Sequence, residues 1–505
     1  MSSAETQDVA SAEENSVLAA ATGRRIWIAV GVITLLAAVL RFSTLGLQSY
    51  EVDEAATLFV IRGSFAHMLH GVVRYEATPP LYYVLAWVWA KVFGTGELGL
   101  RLFSALAGVA TVPVVYALGR TLASRRIGLV AATIVATSPY LVFYSQEARS
   151  YALFTLLSTG GMLCCVRAIQ NPGRRTFGLW AGVSIAAVAT HYFALFPLVG
   201  QAAALAAFGA PRRLLARTVA AAGVVCIPLL VLATRQASDG RANWISGGSL
   251  LQRLRVTAET FMLGATFKGT LPHSVLVACG LFAVSMGVAI AAAASLLFRR
   301  ALARERRAAE VAGLVAAVAI GLPLAAALVH EDYLVHKNLI PLVPLLAVVL
   351  AVGLGCRRAG RLGLAGATVL ALAGIGLTVL SFTASSLRRP DVRQLSHQLG
   401  PPQRGRVIVF VPRWRLLLEN YQGALDGLPR GGRPVTEVDV FTAGQSIPEG
   451  TVPRGFRLTQ VRHGNTFTLF TYRSRAPLTV SPAGLGHSTF SESGLQPIAV
   501  IQTPG

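Results

Sequence analysis

The strongest constraint on this chain is a succession of long apolar runs, each separated from the next by a short cluster of arginines. A membrane-crossing helix needs about 20 predominantly apolar residues, and about eleven runs approach that length. They lie near 26–45, 100–119, 127–143, 151–168, 176–191, 193–208, 218–233, 274–298, 311–329, 339–356 and 362–384. Between them fall Arg120, Arg125 and Arg126; Arg167, Arg174 and Arg175; Arg212, Arg213 and Arg217; Arg299, Arg300, Arg304, Arg306 and Arg307; and Arg357, Arg358 and Arg361. Basic residues remain on the cytoplasmic side of spanning helices. One assignment puts every cluster inside: the first run leads outward, and the shorter run from Leu81 to Phe93 does not cross. That run belongs to a long outer loop, 46–99, and is expected to lie in the interface, with Tyr82, Tyr83, Trp87 and Trp89 at headgroup level. The expected fold class is an all-α polytopic membrane protein with a small C-terminal α/β domain.

Of the 505 residues, 53% are hydrophobic and 13% charged, with a net charge of +22. Such a balance excludes an ordinary soluble domain. The positive charge sits in the loops between spans, where it meets anionic lipid headgroups, so no nucleic-acid partner is expected. All five cysteines lie in apolar runs, which indicates neither a disulfide framework nor a metal-binding spacing. Residues 1–25 are small and polar before Arg24-Arg25 and are expected to form a disordered cytoplasmic tail, with no signal peptide. Residues 26–387 form the membrane domain. The composition changes near Arg388, and 388–505 is expected to be an extracytoplasmic α/β domain. In it, 406–412 reads as a strand, Leu416 to Tyr421 as a helix, and 454–474 as two strands around His463-Gly464-Asn465. Residues 480–505 read as weakly structured.

The chemistry concentrates on the outer face. Asp53-Glu54 follows the first span, and a carboxylate pair at a membrane surface in so weakly charged a chain is a candidate site. Glu147 and Arg149 lie where two spans meet outside, in "YSQEARSY". His191 lies in "THYF", and His330, Glu331, Asp332, His336 and Lys337 in "HEDYLVHKN". Arg235, Arg241 and Trp244 occupy the loop at 234–273. A carboxylate can deprotonate an acceptor hydroxyl, and an arginine or lysine can hold a departing phosphate. Structural roles compete with these: Glu54 could pair with Arg41 or another cation, and Glu147 with Arg149 could brace two helix ends.

The carboxylate pair after the first span, "PPLYY" (79–83), "ELGLRLFSALAG" (97–108), "SPYLVFYSQEARSYAL" (138–153) and "HYF" together resemble the family 39-type membrane glycosyltransferases of the GT-C fold. These include the protein O-mannosyltransferases and the bacterial aminoarabinose transferases. The resemblance covers roughly 26–385. It implies about eleven spans, a first outer loop carrying membrane-surface helices, and a polyprenyl-phosphate sugar donor. It also implies inverting transfer on the outer face of a bacterial plasma membrane. On this chain it implies Asp53 as base and Glu54 beside it orienting the acceptor. Glu147, Arg149, Lys337, His191, His336 and Tyr82 are the candidate substrate contacts. The chain departs from the pattern at Thr78, before the proline pair, and at Lys337-Asn338-Leu339, where many relatives carry an arginine. A lysine supplies the charge without the bidentate geometry.

The expected activity is transfer of a hexose, mannose first, to a protein, lipid or glycan acceptor. No cofactor is expected, and the spacings leave dependence on a divalent metal open. The competing reading is a transporter or flippase for a lipid-linked envelope intermediate, which would place ionisable groups at mid-membrane and break helices in paired positions.

Overall fold

A computed structural model describes residues 3–239, 249–263, 273–329, 333–384, 388–401, 405–410, 414–442, 454–483, 485 and 498–502. The chain packs as two compact units. The first comprises 1–43, 65–94 and 99–380, and the second 44–64, 95–98 and 381–505.

Helices α1 (Ser3–Phe42), α3 (Phe65–Tyr75), α4 (Leu81–Phe93) and α6 to α15 build the first unit, together with nearly all of α5 (Glu97–Leu122) and of α16. The later ones are α6 (Arg125–Ala136), α7 (Pro139–Ser145), α8 (Tyr151–Gln170), α9 (Arg174–Thr190), α10 (Leu195–Ala207) and α11 (Arg212–Ser238). They continue as α12 (Leu250–Leu263), α13 (His273–Arg300), α14 (Ala303–Leu328), α15 (Leu342–Gly355) and α16 (Gly360–Thr383). Among the described residues, seven helices are long and apolar enough to cross a membrane, or up to eight when the bent pair α6–α7 counts as one. The other expected crossings coincide with shorter helices: α9 with 17 residues, α10 with 13 and α15 with 14. This is a multi-pass membrane protein whose lipid-facing surface is written in its exposed residues. On α1, Ile28, Val32, Leu35 and Val39 form an exposed stripe, while Val30, Ala37 and Leu40 face inward. The helix also continues back to Ser3, through residues expected to be an unstructured tail. Repeated alanines give that segment a high helix propensity.

The run 127–143 was expected to cross as one helix, but it bends by 60°. Thr137 ends α6. Ser138 then accepts the Leu141 N–H on its Oγ (3.4 Å), and Pro139 occupies the first helical position. The break exposes helix-end carbonyls inside the protein, and Arg41 meets them. Its guanidinium is fully buried and donates to the carbonyls of Val135 (3.3 Å) and Ala136 (3.0 Å), to Ala37 O (3.2 Å) and to Ser145 Oγ (3.2 Å). Gln146 answers by donating to the carbonyls of Leu40 (3.3 Å) and Arg41 (2.9 Å) at the end of α1. Each helix end thus satisfies the other. Gly108 of α5 permits the approach, since a Cβ there would lie 2.1 Å from Ser145 Oγ and 3.1 Å from Arg41 Nε.

The second unit holds α2 (Val52–Ile61), α17 (Val392–Leu399), α18 (Arg415–Gln422) and one six-stranded sheet. Its strands are β1 (Arg406–Phe410), β2 (Leu425–Gly427), β3 (Arg433–Thr442), β4 (Arg457–His463), β5 (Thr468–Val480) and β6 (Ile498–Gln502), in the order β2-β6-β1-β3-β5-β4. Only the β1–β3 pair is parallel. Strand β1, helix α18 and the β4–β5 hairpin stand where the sequence placed them. The tail, expected to be weakly structured, supplies β6 next to β1, where Ile501 and Ala499 join the apolar face of Val407 and Val409 and Val500 is buried on the opposite face. Val407, Val409, Val438, Val440 and Phe470 pack on one side. On the other, buried Arg406 bridges Glu437 (2.7 Å) and Asp439 (3.1 Å). Burial works to raise the Glu437 pKa, but hydrogen bonds from Arg406 and Arg473 hold it below the usual range. Burial pushes Asp439 up.

Residues 44–64 read in the sequence as part of the membrane domain but pack in the second unit. Tyr50, Glu54 and Arg62 bond there to Tyr421, Arg389 and Asn420.

Replacing Arg41 by Met leaves two buried carbonyls without donors and should cost about 3 kcal/mol. Thermal unfolding of the detergent-solubilised protein should show a clearly lowered midpoint. An unchanged midpoint would mean that the α6–α7 break does not depend on Arg41.

Candidate functional site

The sequence's candidate residues fall in both units. In the second, Glu51, Asp53 and Glu54 form the N-terminus of α2. Glu51 is the N-cap: its Oε2 accepts the Asp53 N–H (2.7 Å), and Glu54 Oε2 accepts the Glu51 N–H (2.9 Å). This reciprocal capping box satisfies helix-end donors with carboxylates, which the helix dipole favours. Glu54 is completely buried and stands 3.6 Å from the guanidinium of Arg389. Glu54 was expected to pair with Arg41 or another cation; the cation is Arg389, while Arg41 donates to three carbonyls and to Ser145 in the first unit. Asp53 is half-buried at the second helical position.

In the first unit, a turn between α7 and α8 carries Glu147 and Arg149, both buried. The carboxylate that grips Arg149 is Glu76, from the end of α3. Arg149 Nη1 lies 3.1 and 3.4 Å from the two Glu76 oxygens, and Nη2 lies 3.4 Å from one of them. The fork geometry makes this a bidentate pair. Arg149 Nη1 also donates to Tyr83 Oη (3.2 Å), which is within 3.1 Å of Thr78 Oγ1. Burial raises the Tyr83 pKa well above its ordinary value, so it remains a neutral phenol. Pro79 and Pro80 thus start a helix whose first turn delivers Tyr83 to the ion pair.

That helix, α4, also corrects an expectation. Tyr82 and Tyr83 are each 1% exposed and face inward, not toward headgroups. Tyr82 packs against Tyr83 and Phe103. The outward row is Leu85, Val88 and Val92, at helical spacing. Trp89 is half-buried and donates its indole N–H to Gly99 O (2.9 Å).

An aromatic group continues from the ion pair. Tyr140, Tyr144 and Tyr151 contact one another in sequence, with centroids 4.8 and 5.3 Å apart. His191, at the junction of α9 and α10, stacks on Phe154 at 4.5 Å and 5°. His336 and Lys337 lie on a 3-10 turn before α15. The His336 carbonyl accepts the Tyr140 hydroxyl (2.8 Å), and Lys337 Nζ stands 5.5 Å from the Tyr151 ring centre. Burial, assisted by the Arg149 charge, holds the His191 pKa down to about 3. Burial with Lys337 holds His336 at about 4. Both imidazoles are therefore neutral at physiological pH. The structure brings His191, Lys337 and His336 around Tyr140, Tyr144 and Tyr151, while Arg149 bonds to Tyr83.

Sequence reasoning missed Glu76, Tyr83 as a partner of Arg149, Tyr151 and Arg389. Glu76 was visible in "EATPP", where a carboxylate precedes two prolines, but nothing in the sequence paired it with residue 149. His330, Glu331, Asp332, Arg241 and Trp244 lie outside the described residues. Among the described residues, no group of three or more His, Cys, Asp and Glu could hold a metal ion.

Comparison with known proteins gives the fold its place. Residues 77–235 match the profile of dolichyl-phosphate-mannose-protein mannosyltransferases. The structure superposes on ArnT from Cupriavidus metallidurans bound to undecaprenyl phosphate with a TM-score of 0.56 at 15% identity, covering 88% of this chain and 97% of that one. The apo form of ArnT gives 0.56 and 15%, covering 90% and 98%. An oligosaccharyltransferase from Archaeoglobus fulgidus gives 0.47 at 14%, covering 75% and 58%. No curated protein matches the sequence.

Two outcomes test the site. Arg149→Lys keeps the charge but loses the fork, and Glu76→Gln leaves a buried guanidinium uncompensated; the latter should cost about 3–5 kcal/mol. Full stability of Glu76→Gln in thermal unfolding would contradict the pairing. The histidines predict a pH dependence. Below about 6.5 an unfolded histidine takes up a proton that the folded one refuses, so stability is complete above that pH and falls as pH drops, by about 1.4 kcal/mol per unit for each group. The unfolding midpoint should fall between pH 6.5 and 5, and His191→Phe, which preserves stacking on Phe154, should flatten that fall.

Proposed function

We propose that this GT-C-fold membrane protein is a glycosyltransferase that moves a sugar from a polyprenyl-phosphate donor to a hydroxyl acceptor, with inversion. The observation that carries the reading is the match of 77–235 to the dolichyl-phosphate-mannose mannosyltransferase profile on a chain of this fold. The matched segment contains Tyr83, Arg149 and His191, so the buried Arg149–Glu76 pair and its aromatic surround are built largely from it. The undecaprenyl phosphate of the ArnT structure supports a polyprenyl monophosphate as the lipid part of the donor. A hexose, mannose first, is the sugar this reading favours.

In this mechanism Asp53 takes the proton of the acceptor hydroxyl. The acceptor oxygen attacks the anomeric carbon, and the bond from that carbon to the phosphate oxygen breaks. Polyprenyl phosphate leaves with the electron pair. A single displacement inverts the anomeric centre. Lys337, a point charge beside the Tyr151 ring, holds the phosphate. Arg149, gripped by Glu76, contributes a fixed positive charge. Neutral His191 and His336, with the buried Tyr82, shape the wall and take no part in proton transfer. The arginine clusters between spans favour a cytoplasmic N-terminus, with catalysis on the outer face of a bacterial plasma membrane. The acceptor is a protein, lipid or glycan of that face.

Asp53→Asn should lower turnover by about 10²–10⁴-fold, the range of a lost general base, without changing the unfolding midpoint. The measurement is loss of labelled sugar from decaprenyl-phosphate-mannose by purified protein in nanodiscs with an envelope extract as acceptor. A fully active Asp53→Asn protein would remove Asp53 from the base role.

A further inference from the structure

The carboxylates at the start of α2 are held by chain more than 330 residues away in sequence. Within the second unit, Arg389 faces buried Glu54 (3.6 Å), and its own backbone N–H donates to Gln48 Oε1 (3.2 Å). Ser49 Oγ donates to Pro390 O (3.2 Å) and accepts from the Val392 N–H (3.1 Å). The Tyr50 N–H donates to Tyr421 Oη (3.0 Å), and Tyr421 in turn donates to Glu97. Arg393 pairs with Glu97 and reaches the carbonyl of Gly46 (3.3 Å), and Arg62 donates to Asn420. Almost every residue from Gly46 to Tyr50 is thus tied to 389–393 or 421.

The placement of Arg389 needs a reason. The positive end of a helix dipole repels a cation, so an arginine gains nothing from the N-terminus of α2 itself. It gains from Glu54, a fully buried carboxylate that would otherwise carry its charge into the interior. Glu54 in turn fixes the Glu51 N–H, and Glu51 fixes the Asp53 N–H. Arg389 therefore reaches the backbone of Asp53 through three successive links, by way of Glu54 and Glu51. The charge on Glu54 closes the capping box, and Arg389 makes that charge tolerable.

We propose that Arg389 is a positioning residue for the transfer reaction. Through Glu54 and the capping box it fixes Asp53, which makes the segment 388–421 an integral part of the catalytic apparatus and not a separate docking module for acceptor. The proposal rests on Asp53 being the base.

The test uses full-length protein in nanodiscs, with polyprenyl-phosphate-sugar lipids extracted from the host membrane as donor and host envelope as acceptor. Wild type is compared with Arg389→Gln, Arg389→Lys, Glu54→Gln, the Glu54→Gln/Arg389→Gln double variant and Asp53→Asn. Arg389→Gln should lower kcat by roughly 10–100-fold, the scale of a misplaced catalytic group, and leave KM for the donor within about twofold. Arg389→Lys should recover most of the loss. The double variant should lose far less than the product of the two single losses, since both act on one pair. Full activity of Arg389→Gln, a rise in KM alone, or multiplicative losses in the double variant would overturn the proposal. Should Arg389→Gln fail to fold, Arg389→Lys and the double variant carry the same comparison. An inactive Asp53→Asn beside an unaffected Arg389→Gln sinks this inference alone. No transfer by wild type, or a fully active Asp53→Asn, sinks the functional reading and this inference with it.

Discussion

A guanidinium can be buried among apolar helices only where acceptors receive its N–H groups, and Arg41 is buried because a broken helix supplies those acceptors. The carbonyls of Val135 and Ala136 lose their helical partners at the break before Pro139, and Arg41 replaces them. Gln146 makes the same exchange at the end of α1. This double clasp fixes where α7 ends and therefore where the turn bearing Glu147 and Arg149 begins. The rest of the first-unit site follows from that turn. Arg149 meets Glu76 from α3 and Tyr83 from α4, and Tyr151 opens α8 one residue beyond Ser150.

The two units use buried charge in different ways. In the first, the Arg149–Glu76 pair joins the turn before α8 to the end of α3, 73 residues apart in sequence. The cost of moving both ions out of water is high, and the return is specificity of geometry more than stability. In the second, carboxylates serve the start of a helix. Glu51 and Glu54 cap α2, and Arg389 neutralises the buried member. Asp53, between them, is half-buried at the second position of that helix. A capping box with a carboxylate at both ends is a strict constraint on backbone direction, which suits a residue whose role depends on orientation.

Much of the fold could be read from the residues because a spanning helix announces itself by length and by the arginines at its ends. The helix at 81–93 is shorter than a span, and crossing there would have reversed every later arginine cluster. The bend at 137–139 was legible locally, as a serine cap followed by proline, but an unbroken apolar run concealed it. Strand β3 escaped notice because Glu437 and Asp439 look like loop residues until Arg406 arrives from β1 to bury them. Strand β6 escaped because five residues near a chain end carry little pattern by themselves. The candidates 53 and 54 in the second unit, and 147, 149, 191, 336 and 337 in the first, were visible as rare charged or polar groups in an apolar chain. Their partners were not. Glu76 for Arg149 and Arg389 for Glu54 are matches across 73 and 335 residues, and periodicity carries no information over such distances.

The central claim is that the lipid donor is cleaved and not carried. The most direct measurement is mass spectrometry of the lipids after incubating purified protein, reconstituted in vesicles, with polyprenyl-phosphate sugar and an envelope acceptor. The account predicts free polyprenyl monophosphate in amounts equal to the sugar transferred, with the opposite anomeric configuration in the product. Intact donor recovered in full from the opposite leaflet, with no free polyprenyl phosphate, would contradict it and identify a transporter.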